Sequence, residues 1–265
     1  MGSQFIPLLR NEITKALRRK LPYFGILAVA LVCVVSFFVS GQISTAAGAN
    51  GWGYVAFSMQ LVFTDIGPIL IVMFTSMLLA EETGTGTIRA VLAAPVHRWE
   101  LFLAKAAIGI LYMLAVSLAA LLFSIAFAKA HYEFGAVGDS FGVVYARGRT
   151  LHEFLTGYCL SWIPLTALVM YGLLISTLIR NAGVSVSVGV STLFLIDLTK
   201  HLVGFDPYIF TRYIGYSWVT LQQLAQGMDY QWHTEVPKLI ALSVISGIVL
   251  FAAGLTIFVR KDLNH

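Results

Sequence analysis

The chain has 265 residues, of which 58% are hydrophobic and only 11% charged, with a formal net charge of +4. Soluble domains carry roughly 25% charged residues, and less than half that density leaves too little polar surface to wet a globule. A soluble enzyme or a nucleic-acid-binding domain is thereby excluded. The mean hydropathy is +0.83, and the apolar residues come in blocks of the roughly 20 residues that a helix needs to cross a bilayer. The composition predicts an all-α membrane protein of about six transmembrane helices that use the whole chain. Cys33 and Cys159, the only cysteines, sit in apolar runs and read as small packing residues rather than a disulfide.

Residues 4–21 place Phe5, Ile6, Leu9, Ile13, Leu17 and Leu21 at helical spacing, with Arg10, Lys15, Arg18, Arg19 and Lys20 between them. This pattern predicts an amphipathic helix lying in the membrane interface; a basic flank that only fixes topology is the alternative. The apolar run after Pro22 starts too late for a cleavable signal peptide. The six-span region covers 22–259. Its spans are expected near Tyr23–Val39, Val55–Ala80, Leu101–Ala128, Phe154–Ile179, Val184–Val203 and Leu239–Val259, followed by a short tail over 260–265. Pro68, inside the second span, is expected to kink it. No internal repeat or low-complexity tract interrupts the chain.

With six spans both termini share a side. That side collects Arg10, Lys15, Arg18, Arg19, Lys20, Arg89, Arg98, Lys105, Arg180, Arg260 and Lys261, against Lys129, Arg147, Arg149, Arg212 and Lys238 on the other. The positive-inside bias therefore puts both termini in the cytoplasm of a multi-pass protein of the inner (plasma) membrane.

The loop over 81–100 lies on that same side. Glu81 and Glu82 end one helix, and Gly84 and Gly86 break it. Ile88, Val91 and Leu92 form the apolar face of a short helix, with Arg89 beside it, that Pro95 ends, and Arg98, Glu100 and Lys105 restart a helix at the membrane surface. A short helix strung between two spans is a lever: a soluble partner that pushes it moves both.

These residues resemble the type-2 ABC transporter permease family, the exporter-type integral membrane subunits. The family pattern runs acid, Gly-Thr-hydrophobic, Leu, Pro-hydrophobic, base and a later Lys; here it is Glu81 or Glu82, Gly86-Thr87-Ile88, Leu92, Pro95-Val96, Arg98 and Lys105. The basic start is similar to the family's connector helix, and the ending FVRKDL is similar to its usual terminus. His97 departs from a common small hydroxyl residue and Arg89 from a common acid. The resemblance implies two permease subunits, identical or related, and a separate cytoplasmic ABC ATPase subunit that docks on the coupling loop. ATP and Mg belong to that partner, because this chain has no Gly-x-x-x-x-Gly-Lys-Ser/Thr loop. The resemblance gives Glu81, Glu82, Arg89 and Arg98 charged contacts with the ATPase.

Asp65 falls inside the second span, and Asp197 and Lys200 inside the fifth. Each costs roughly 2.5–3.5 kcal/mol at the bilayer centre. Asp197 and Lys200, three apart, can pair; Asp65 has no local partner, so it reads as facing protein or a water-filled pathway. The aromatic segment within 205–236, with Tyr208, Phe210, Tyr213, Tyr216 and Trp218, is too short to cross twice and reads as an outer re-entrant or interfacial element. Its rings either cap a pathway or anchor the bilayer edge. Catalysis and metal binding find no support: His97, His131, His152, His201 and His233 are scattered, without ligand spacing, and no glycine-flanked serine motif backs Ser161 or Ser191 with His201. The competing functions are an ion-driven transporter, which would need inverted repeats, and a non-transporting ABC-like subunit that transmits force or anchors other proteins.

Overall fold

The computed structural model describes residues 5–43, 50–87, 97–139, 142–228 and 232–260. Helix α1 (Phe5–Arg18) precedes the first span, α2 (Leu21–Ile43). The second span joins α3 (Gly51–Leu61) to α4 (Gly67–Gly84) through a π-helical turn over Val62–Ile66. The third span is α5 (Arg98–His131), the fourth α6 (Arg147–Leu178), the fifth α7 (Ala182–Val203) and the sixth α9 (Trp232–Arg260). Among the described residues, six helices are long and apolar enough to cross a membrane. The side that carries α1 and the end of α9 is called proximal below, and the other side distal.

The second and fourth spans form the centre, while the first, fifth and sixth are mostly exposed and make the rim. α6 packs along α4 and α9, α4 also holds α7, and α5 holds α1 and α2. Without a hydrophobic drive between helices in lipid, small residues and interhelical hydrogen bonds decide such contacts. A Cβ on Gly172 would lie 1.9 Å from Thr75 Oγ1, so α4 and α6 meet at backbone distance only because that position is glycine. Ser176 Oγ accepts from the Leu79 and Ala80 amides (2.8 and 3.0 Å), Ser185 Oγ donates to the Ser76 carbonyl (2.7 Å), and Tyr171 Oη donates to the Gly189 carbonyl (3.0 Å).

The helices overrun the expected spans. α4 continues to Gly84, and α6 begins at Arg147 rather than near Phe154. At 1.5 Å per residue, a 34-residue span such as α5 is about 50 Å long, well beyond a hydrocarbon core of about 30 Å. Hydropathy marks the lipid-crossing part and is blind to the projecting polar turns. The irregularity in the second span lies one turn before Pro68. Proline lacks the N–H that would serve the carbonyl four residues back, and the backbone widens there instead, with the Gly67 amide donating to the Val62 carbonyl.

On the distal side, β1 (Val137–Asp139) and β2 (Gly142–Tyr145) pair antiparallel, the only strand pairing among the described residues. Two 3-10 turns, Asp206–Tyr208 and Phe210–Tyr213, lead to α8 (Tyr216–Ala225). Its ten residues reach about 15 Å, too short to cross. Most of its rings turn inward rather than to the bilayer edge. Phe210, Tyr213 and Trp218 are buried, Trp218 stacks on Phe63 of the π-turn (centroids 6.1 Å apart), and Tyr208 stays exposed. Asn50 ties this segment to the second span: its Oδ1 caps α3 by accepting from the Gly53 amide, and its Nδ2 donates to the Ala225 carbonyl. Cys33 is buried as a packing residue, whereas Cys159 lies on the exposed side of α6; both are free thiols.

Candidate coupling site

The proximal ends of α4 and α5 flank the loop that the sequence marks. α4 runs through Glu81 and Glu82 to Gly84, whose missing side chain lets the turn between α6 and α7 approach: a Cβ there would lie 2.5 Å from the Arg180 carbonyl oxygen. Thr85 closes the helix by donating through its amide and hydroxyl to the Glu81 carbonyl. Gly86 then adopts a positive φ of 72° with nothing near its Cβ direction, a conformation that costs L-residues roughly 1–2 kcal/mol. Thr87 is exposed and shares a hydrogen bond with Thr85 (2.9 Å). Ile88, Arg89, Leu92 and Pro95, expected to form the short lever helix, lie outside the described residues. α5 restarts with extended His97 as its N-cap, where a small hydroxyl residue is the ordinary choice, and the Glu100 carboxylate accepts from the His97 amide (3.3 Å). Arg98 Nη1 donates to the Val259 carbonyl (3.0 Å), joining the start of α5 to the end of α9.

Behind this loop sits a buried ionic cluster. Lys105 of α5 is fully buried, and its Nζ lies 2.5 Å from Glu12 Oε2 and 2.6 Å from Glu82 Oε1. Lys15 Nζ reaches the same two acids, at 2.7 Å from Glu12 Oε1 and 3.0 Å from Glu82 Oε1. Two carboxylates and two ammonium groups from α1, α4 and α5 thus balance, which is the condition under which charges survive burial. Burial works to lower the Lys15 pKa, but hydrogen bonds and attraction from Glu12 and Glu82 together outweigh it and hold Lys15 above its ordinary 10.5. At the rim, Arg19 Nη2 pairs with Glu81 Oε2 at 2.8 Å.

Glu82, expected to meet charges of the ATPase, is 5% exposed and faces inward onto Lys105 and Lys15. Glu12 is the residue that sequence reasoning missed. It is the single acid of α1 and lies four residues from both Leu8 and Ala16, on the side that packs inward. An acid on the apolar side of a helix and a lysine inside the apolar run of α5 were the available signals of their pairing.

Asp197 and Lys200 lie toward the distal end of α7, and Asp65 lies in the π-turn midway along the second span. Lys200 is buried and paired with the Asp197 carboxylate; Asp206 follows at 3.9 Å from Lys200 Nζ, and Arg212 Nη1 lies 2.9 Å from Asp206 Oδ2. Asp65, carried outward by the π-turn, is exposed on the chain and has no ion-pair partner among the described residues. No group of three His, Cys, Asp or Glu residues suited to a metal ion occurs among the described residues.

No curated protein matches the chain. The profile of the ABC-2 family transporter proteins matches residues 8–196, nearly three quarters of the chain and all four members of the buried cluster. A six-span helical protein that this profile matches over most of its length therefore belongs to the ABC-2 family of transporter proteins.

Proposed function

We propose that the chain is the permease subunit of an ATP-driven exporter, powered by a separate cytoplasmic ABC ATPase that docks at the loop between α4 and α5. The observation that carries this reading is the Lys105–Glu82 contact. It closes the base of the loop across 23 positions, so a displacement of the loop is delivered to the second and third spans together. The absence of a phosphate-binding loop in this sequence supports a motor on another polypeptide. The lysine and arginine excess on the proximal side supports cytoplasmic termini in the inner membrane. Closure of the ATPase pair would load the loop, and the hinge at Gly86 would let the lever turn before the spans tilt. A second permease subunit would complete the pathway, against the face where Asp65 and Asp197 stand exposed. The apolar spans favour an amphipathic or lipid-like cargo over a large glycan.

The test is purification of the tagged chain from its native membrane in mild detergent or nanodiscs. A stoichiometric soluble ATPase, lost when Gly86–Arg98 is mutated, is the expected result. A chain that purifies alone and without ATPase activity would overturn the reading in favour of an ion-driven transporter or a scaffold subunit.

A further inference from the structure

We infer that Glu12 is a positioning residue that makes helix α1 part of the moving unit rather than a passive float on the membrane surface; this rests on the coupling reading above. Apolar packing of Phe5, Leu8 and Leu9 against the core is non-directional and lets a helix roll or slide. The Glu12 contacts are directional. Its two oxygens are divided between two cations: Oε2 to Lys105 of α5 and Oε1 to Lys15 of its own helix. Both cations in turn grip Glu82 Oε1 at the end of α4. An ammonium group has three donors, and Lys105 spends two of them on acids from different elements. α4 cannot shift its proximal end relative to α1 without separating charges, of which Glu12, Glu82 and Lys105 are buried. The end of α4, α1 and the start of α5 therefore move as one body.

A structural role and a positioning role separate in the double variant Glu12→Gln/Lys15→Gln. It removes one charge of each sign and leaves the neutral Glu82–Lys105 pair, so the fold is retained while α1 is untied. In a Cys33→Ala/Cys159→Ser background, spin labels are placed on exposed Thr14→Cys of α1, Leu103→Cys of α5 and Val143→Cys of distal β2. In nanodiscs without partner, the Thr14–Leu103 distance is expected to be single and narrow in the parent and at least twofold broader in the double variant. In the complex with its co-purified ATPase, ATP is expected to shift both Thr14–Val143 and Leu103–Val143 in the parent. In the double variant the Leu103 shift persists while the Thr14 shift falls at least threefold. An unchanged Thr14 shift beside a persisting Leu103 shift overturns the role of Glu12 alone. Absence of both shifts in the parent overturns the coupling reading, and the inference falls with it.

Discussion

Replacing Lys105 by methionine deletes the fully buried ammonium and keeps most of the side-chain volume. Glu12 and Glu82 then share Lys15 alone, at 2.7 and 3.0 Å, and the site carries a net charge of −1 where it was neutral. Breaking a buried ion pair by removing one partner costs about 3–5 kcal/mol, because the remaining charge stays desolvated. At roughly 2–4 °C per kcal/mol for a chain of this size, that is a fall in Tm of about 6–20 °C. The measurement is thermal unfolding of the nanodisc-embedded chain followed by intrinsic tryptophan fluorescence. The comparison is Lys238→Met, which breaks the exposed Lys238–Glu235 pair at 3.0 Å. An exposed pair contributes about 0–1 kcal/mol, so that variant stays within a few degrees of the parent. Lys105→Arg, which keeps the charge, falls between the two. A Lys105→Met protein as stable as Lys238→Met would refute the claim that the cluster holds α1, α4 and α5 together.

Three further outcomes follow from the same geometry. Lys15 is held above 10.5, so its contribution is complete below the unfolded value and is lost as pH rises through the folded one; the stability gap between parent and Lys15→Gln stays constant from about pH 6 to 9 and closes only at strongly alkaline pH. Gly84→Ala places a methyl 2.5 Å from the Arg180 carbonyl, and overpacking of this kind costs about 1–3 kcal/mol, read as a lower Tm; Gly86→Ala meets no atom and loses only the roughly 1–2 kcal/mol of a left-handed backbone. Trp218→Ala empties a fully buried site against Phe63, with an expected loss of about 3–5 kcal/mol and broadened cross-linking between cysteines placed in α3 and α8.

Six spans were legible because apolar length is a local signal, as is the glycine that ends α4 at Gly84. The ends of the spans were not, since α4 and α6 extend through polar turns that hydropathy scores as loop. Glu12 was hidden among five basic residues, and its meaning depends on a lysine 93 positions away, which no local pattern links to it. The inward turn of Trp218 was equally unreadable: an aromatic belt and a buried aromatic cap have the same composition, and only the partner, here Phe63, separates them. The pair Asp197 and Lys200 was visible from its three-residue spacing, while Asp206 and Arg212 join it through a turn that the sequence leaves undetermined.

The widened turn at Val62–Ile66 sets a helical phase. An α-helix advances about 100° per residue, so one extra residue in a turn rotates everything beyond it by that angle. The distal half of the second span, α3, faces α8 and α5, and the proximal half, α4, faces α6 and α7. A straight helix of the same composition would present one stripe to one set of neighbours. The inserted residue lets a single span serve two packing surfaces that point in different directions. Deleting one residue from this turn would restore a regular helix and swing the distal surface away from α8 while α4 keeps its grip on α6.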